Sequence, residues 1–255
     1  MNPEFISLLS FTKREVSRLL RVWKQTIVPP IVTSLLYILI FGYSLGTKIT
    51  DIGGVSYLEF IFPGLIMMGV ISSSYSNTSS SLYISKFQGN IQEVLVAPIS
   101  YLSIIFALAT GSVVRSTLVA VGTILIGSLF AGLSIVNVGI ILYFLFSSIL
   151  LFAFAGILTG LWAESFDQMS VFATFVVTPL TYLGGVFYSI DMLPGFWRTF
   201  SLFNPIYYLV DGFRYGFFGT SSSPLWASVL ITTVLTFSFG ALCIHLFRKG
   251  YKIRT

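Results

Sequence analysis

What most constrains this chain is a recurrence: six apolar runs, each near the ~20 residues a helix needs to cross a hydrocarbon core of about 30 Å. They lie at roughly 27–45, 59–82, 101–127, 138–161, 169–189 and 225–247. A soluble fold has no interior large enough to hide six such runs. The charge content agrees, with 14 Lys and Arg and 9 Asp and Glu in 255 residues, where soluble domains carry about a quarter charged. Backbone N–H and C=O groups inside lipid must pair within the segment, so the runs predict helices. The expected fold is an all-α integral membrane protein with six transmembrane helices.

The basic residues fix an expected orientation. Lys13, Arg14, Arg18, Arg21 and Lys24 precede the first run, and Arg248, Lys249, Lys252 and Arg254 follow the last. An even number of crossings puts both termini on one side, and Lys/Arg-rich flanks put that side in the cytoplasm. Beside apolar spans such charge marks membrane flanks, and no nucleic-acid partner is expected. The cytoplasmic loops are then 83–100 and 162–168, and the outer ones 46–58, 128–137 and 190–224.

The first residues do not read as a cleaved leader, since no short apolar core with a small-residue cleavage site follows a brief basic start. They read as an N-terminal amphipathic interfacial helix over 1–26. At 100° per residue, Phe5, Leu8, Leu9, Val16, Leu19, Leu20 and Trp23 share one side and the five cations gather on the other. Such a helix lies among lipid headgroups or packs on a partner. Pro29 and Pro30 mark a new helix start. The six-span bundle occupies 27–247, and 1–255 reads as one domain.

The segment 190–219 is too apolar for a water-exposed loop and too short for two crossings. Phe196, Trp197, Phe200 and Phe203 crowd its first half, while Pro194, Asn204–Pro205, Gly212 and Gly219 cut it into short pieces. A re-entrant outer helix pair between spans five and six satisfies both facts, provided its backbone is buried in protein.

Several kinds of chemistry are unsupported. A single cysteine, Cys243, allows no intramolecular disulfide, and a single histidine, His245, allows no multi-histidine metal centre. The sequence contains no G-x-x-x-x-G-K-[ST] loop and no H-E-x-x-H. No catalytic, metal or cofactor-binding residue is expected on this chain. Glu59, Glu164 and Asp167 fall near span ends, so midplane carboxylates for an ion-coupled carrier are lacking.

Arg115 is the one charge deep within a run, and a guanidinium there needs a polar cavity or partner. Residues 72–81 of the second run are nearly all hydroxylic or amide. Ser73, Asn77 and Arg115 are therefore candidates for lining a substrate path. The alternative is a static interhelical bond among small residues that let helices approach closely. In the loop 86–98, a short helical stretch ending at Pro98 carries Glu93 beside Ile91, Leu95 and Val96. It suits either a partner contact or an ordinary connection.

Three stretches carry a family resemblance: YLEFIFPGLIMMGV (57–70), KFQGNIQEVLVAPIS (86–100) and TYLGGVFYSIDMLPGFWRTFSLFNPIYYLVDGFRYGFFG (181–219). Together with the basic leading helix and six spans, they resemble the ABC-2 type permeases, membrane subunits of ATP-binding-cassette exporters in the bacterial inner membrane. The resemblance implies that two copies of the chain pair and that two copies of a separate ATPase, which holds the ATP and Mg, bind beneath. It implies that 86–98 is a coupling helix seating Gln88, Asn90, Glu93 and Leu95 in the ATPase, which the leading helix also touches. Asn204, Pro205 and Arg214 fall on motif positions of the outer pair near the substrate exit. The seam between copies would involve the first and fifth spans, with Pro179 kinking the latter. An amphiphilic, lipid-like or drug-like cargo is expected. A polysaccharide exporter is the rival within the family, and an ion-coupled carrier the rival outside it.

Overall fold

A computed structural model describes residues 3–44, 46, 51, 52, 54–91, 99–132 and 134–252. Helix α1 is Pro3–Arg21, α2 Trp23–Thr26, α3 Val28–Ser44, α4 Tyr57–Phe87, α5 Tyr101–Gly127 and α6 Val138–Trp162. Helix α7 is Phe166–Phe172; a π turn at Ala173–Val177 joins it to α8, Thr178–Tyr182. A 3-10 turn at Ile190–Met192 precedes α9 (Gly195–Leu202), α10 (Pro205–Phe218) and α11 (Leu225–Lys249). Apart from an isolated bridge between Ile52 and Val55, the described residues contain no β pairing.

Helix boundaries follow capping chemistry. Ser56 and Glu59 make a reciprocal capping box at the start of α4, and Ser100, Asn137 and Ser165 accept backbone N–H groups at the starts of α5, α6 and α7. Gly219 and Gly250 end α10 and α11 in the left-handed region, at φ 73° and 65°, where a Cβ is disfavoured.

Helix α4 is the centre of the bundle. Of its most apolar window 78% is buried, against 22% for the windows in α2–α3 and α11. It packs most heavily on α6, next on α5, and also on α3 and α10. Ile61, Leu65, Ile66 and Met67 of α4, with Phe144 and Ile149 of α6 and Phe213 of α10, are fully enclosed. The closest α4–α6 approach uses Gly156, whose absent side chain leaves room for Tyr75 and Thr78. Small residues at a crossing are the usual means by which membrane helices pack tightly.

Among the described residues, five helices are long and apolar enough to cross a membrane: Trp23–Gly42, Tyr57–Phe87, Tyr101–Gly127, Val138–Trp162 and Leu225–Lys249. The expected crossing at 169–189 differs. Its helix runs from Phe166 only to Tyr182, about 25 Å at 1.5 Å per residue, and is interrupted by the π turn. The cause is Pro179, which has no N–H for the carbonyl four residues before it. Thr178 N already bonds to the Ala173 carbonyl, five residues back. A wider π turn therefore stands beside Pro179, where a kink was expected. The chain then turns through Gly184 and Gly185, the latter at φ 75°. Where a re-entrant pair was expected, the structure has two short helices, α9 and α10. Of these α10 is packed on α6, α11 and α4.

Candidate functional site

The polar run of α4 spreads round the helix, and its three sides have different surroundings. Ser74 and Thr78 face α6, donating to the carbonyls of Ile149 (2.6 Å) and Ala153 (2.8 Å). Asn77 faces α5, its Nδ2 donating to Ser112 Oγ at 3.2 Å, and Ser112 donates on to the Ser74 carbonyl at 3.1 Å. Ser72 and Ser76 face outward, into a cleft of ≈ 320 Å³ between α3, α4 and the Phe166–Tyr182 helix.

Thr33 from α3 and Thr178 and Thr181 from the opposite wall add hydroxyls to that cleft, over a floor of Met68 and Gly69. Tyr37 and Tyr182 join across it, hydroxyl to hydroxyl at 3.0 Å. Phe41 and Phe187 pack on these tyrosines, with Tyr37–Phe187 ring centroids 5.4 Å apart. Apolar walls with a few aimed hydroxyls are the composition of a small-molecule site.

The expected path residues sit behind this surface. Ser73 and Asn77 are buried between helices, at 1% and 3% exposure. Arg115 is half-buried on α5 and donates from Nη2 to the Thr26 carbonyl at 3.1 Å. It closes off the end of α2, whose last carbonyls lack helical donors. Sequence reasoning counted Ser72 and Ser76 in the polar run but singled out Ser73 and Asn77 from it. A helix polar on every side gives no phase by which to choose among its serines.

At the other end of α4, Gln88 is exposed and caps the helix, and Asn90 donates to the Gln88 side chain at 3.0 Å. Ile91 is buried. Glu93 and Leu95 lie outside the described residues. Just before this loop, Lys86 Nζ donates to the carbonyls of Gly160, Leu161 and Ala163 at 3.2, 2.6 and 3.3 Å. An ammonium there answers the unpaired carbonyls and the negative end of α6. Beside it, Lys252 bonds to Glu164 at 2.6 Å. The pair holds the Glu164 carboxyl below, and the Lys252 ammonium above, its ordinary range.

Asn204, Pro205 and Arg214 form a set of ties between elements. Asn204 accepts from Ile206 N at 3.0 Å, capping α10, and donates to the Leu180 carbonyl at 2.6 Å. Pro205 takes the first helical position, where its missing N–H costs nothing. Arg214, 6% exposed, donates from Nε to the Phe60 carbonyl (3.2 Å) and from Nη2 to the Gly185 carbonyl (2.9 Å). Its guanidinium lies 3.8 Å from the Phe60 ring centroid. Asp211 accepts from Ser222 N, Ser223 N and Ser223 Oγ at 3.1, 3.0 and 2.7 Å. With Asp51 and Asp191, Asp211 and Arg214 line a separate pocket of ≈ 480 Å³. Replacing Asn204 by Ala removes the cap and leaves the Leu180 carbonyl unmet. A loss of about 1–2 kcal/mol is expected, read as a lowered thermal midpoint in detergent.

The sequence family described as ABC-2 type transporter matches residues 7–218, which include the cleft, the loop after α4 and the Asn204–Arg214 motif. Across all 255 residues, and all of the relative, the chain is 42% identical to the inner membrane transport permease YadH of Escherichia coli K12. This chain belongs to the ABC-2 type transporter family. More distant matches are to nodulation protein J. That of Rhizobium leguminosarum bv. trifolii is 24% identical over 217 residues, covering 83% of this chain and 78% of the relative. That of Azorhizobium caulinodans is 25% identical over 264 residues, covering 96% and 99%. The chain is thus an ABC-2 membrane permease with several membrane-length apolar helices.

Proposed function

We propose that this permease is the membrane half of an ATP-driven exporter of the inner membrane, for an amphiphilic cargo. Two copies pair along α3 and the Phe166–Tyr182 helix, and two copies of a separate ATPase dock beneath. The cleft between α3, α4 and that helix carries the reading. Hydroxyls of Ser72, Ser76 and Thr33 are set among apolar walls that a second copy would enclose. Ser73, Asn77 and Arg115 form the layer behind the path.

Both termini lie in the cytoplasm, and the Phe166–Tyr182 helix with the turn after it makes a sixth, thinner crossing. Helix α1 rests among headgroups. Phe5, Leu9 and Leu20 of α1 and Trp23 at the start of α2 are exposed along one side, the pattern of an interfacial helix. The α9–α10 pair dips into the outer leaflet. Exposed Phe196, Trp197, Phe200 and Phe203 on and after α9 suit the aromatic belt of a membrane boundary.

The loop 86–98 couples the halves, with Gln88, Asn90, Glu93 and Leu95 meeting the ATPase. ATP with Mg binds the ATPase, and this chain holds no cofactor. ATP drives the cycle only if it prefers the closed ATPase pair, whose closure then tilts the two permeases.

Co-expression with a candidate ABC ATPase subunit tests the assembly. A complex of two permeases and two ATPases is expected, and a permease purifying alone would overturn it. In that complex, leucine at both Ser72 and Ser76 is expected to cut cargo-stimulated ATP hydrolysis about tenfold by filling the cleft. Basal hydrolysis and stoichiometry should stay unchanged.

A further inference from the structure

We infer that Glu15 is a latch, a positioning residue that fastens α1 to the inner end of α4. Through it α1 and the start of the loop at 86–98 move as one body. The inference rests on the exporter reading only for the use made of that motion.

Glu15 is 2% exposed, on a helix otherwise rich in exposed cations. Its Oε2 accepts from Ser81 Oγ of α4 at 2.7 Å and from Arg18 Nη2 at 3.1 Å. A carboxylate is not buried by default, since its desolvation must be offset by hydrogen bonds and an opposite charge. Here both are present. Phe11 and Leu19, one turn on either side, are buried with it, and α1 packs on α5. Apolar contact would hold α1 loosely along its length, whereas a buried carboxylate with one acceptor geometry fixes its register.

Helix α5 leaves a gap for the latch at Gly111. A Cβ there would stand 3.5 Å from Glu15 Cβ and 3.2 Å from Asn77 Nδ2. From Asn77 the polar contacts continue through Ser112 and Ser74 to the Ile149 carbonyl of α6. Ser81 lies between this seam and Lys86, which pins the end of α4 to the end of α6. The last two turns of α4 are thus tied to α1 on one side and to α6 on the other, immediately before Gln88. A push on the loop that follows moves α1 with α4.

The test uses the full-length permease in lipid nanodiscs, with spin labels on K13C and Q88C. Both positions are exposed, and native Cys243 is fully buried. One narrow distance is expected. S81A and E15A should broaden it about twofold, as a local contact is released without global unfolding. E15Q, which keeps an oxygen to accept from Ser81, should restore the narrow distribution. Unchanged widths in S81A and E15A, or an E15Q as broad as E15A, would overturn the latch. A control pair at L125C and W226C reports folding, and if E15A disturbs it the milder S81A decides. With the ATPase bound and ATP added, the Lys13–Gln88 distance should hold while distances between copies change. A shift in it would overturn the one-body motion. If the exporter reading itself fails, no ATPase associates, while the latch distances in the permease alone still stand or fall by themselves.

Discussion

Gly156→Leu is expected to destabilise the permease by about 3 kcal/mol, at the upper end of overpacking effects. A Cβ at position 156 would meet Thr78 Oγ1, stand 2.5 Å from the Tyr75 carbonyl oxygen and 3.1 Å from Ser79 N. Two of these three neighbours are backbone atoms of the central helix, which cannot rotate away as a side chain can. Separating α4 from α6 would stretch the Ser74–Ile149 and Thr78–Ala153 bonds, which fix the register of the pair. It would also move Gly160, one turn on, where a Cβ would stand 3.0 Å from the Ser79 carbonyl. Gly156→Ala should fall between wild type and leucine. Thermal unfolding in detergent, followed by loss of the monodisperse peak, measures the series. A leucine variant melting with the wild type would show that the α4–α6 contact is not tight.

Arg214→Met should cost about 3 kcal/mol, on the scale of hydrogen bonds to charged groups. The methionine fills part of the space, but the Phe60 and Gly185 carbonyls lose their buried donors, and the contact over the Phe60 ring is lost. Those two carbonyls belong to the start of α4 and to the turn after α8, so Arg214 of α10 holds three elements together at that end of the bundle. Arg214→Lys should recover little, because a single ammonium lacks the fork that reaches both acceptors and does not stack as a plane. The readouts are the thermal midpoint and protease access to the 183–194 turn. Wild-type values in both variants would show the guanidinium to be dispensable.

The bundle was legible because lipid imposes a simple demand: each crossing must be a long apolar helix. The runs around 59–82, 101–127, 138–161 and 225–247 each correspond to a helix in the structure. Run 169–189 was legible only in outline. Apolar content does not show that Pro179 widens the turn before it or that glycines 184 and 185 end the helix early. Asn204–Pro205 could be read as a cap and a first helical position, and so they are. The cleft was harder, since choosing Ser72 and Ser76 requires knowing which side of α4 meets α5, and ten polar residues in succession do not say. Glu15 escaped notice for the opposite reason. One acid among five cations reads as part of a solvated face, although its position one turn from Phe11 and Leu19 placed it on the buried stripe.

Helix α4 is 31 residues long, about 46 Å at 1.5 Å per residue and well beyond the ~30 Å of hydrocarbon it crosses. Pro63, seven positions in, interrupts its ladder of backbone bonds near the outer end, close to the Arg214 tie. What remains beyond Gly64 is an unbroken helical length of about 35 Å, whose last two turns are fastened by Ser81 to α1 and by Lys86 to α6. With both fastenings at one end of that length, any tilt of α4 would have to carry its neighbours along instead of slipping past them.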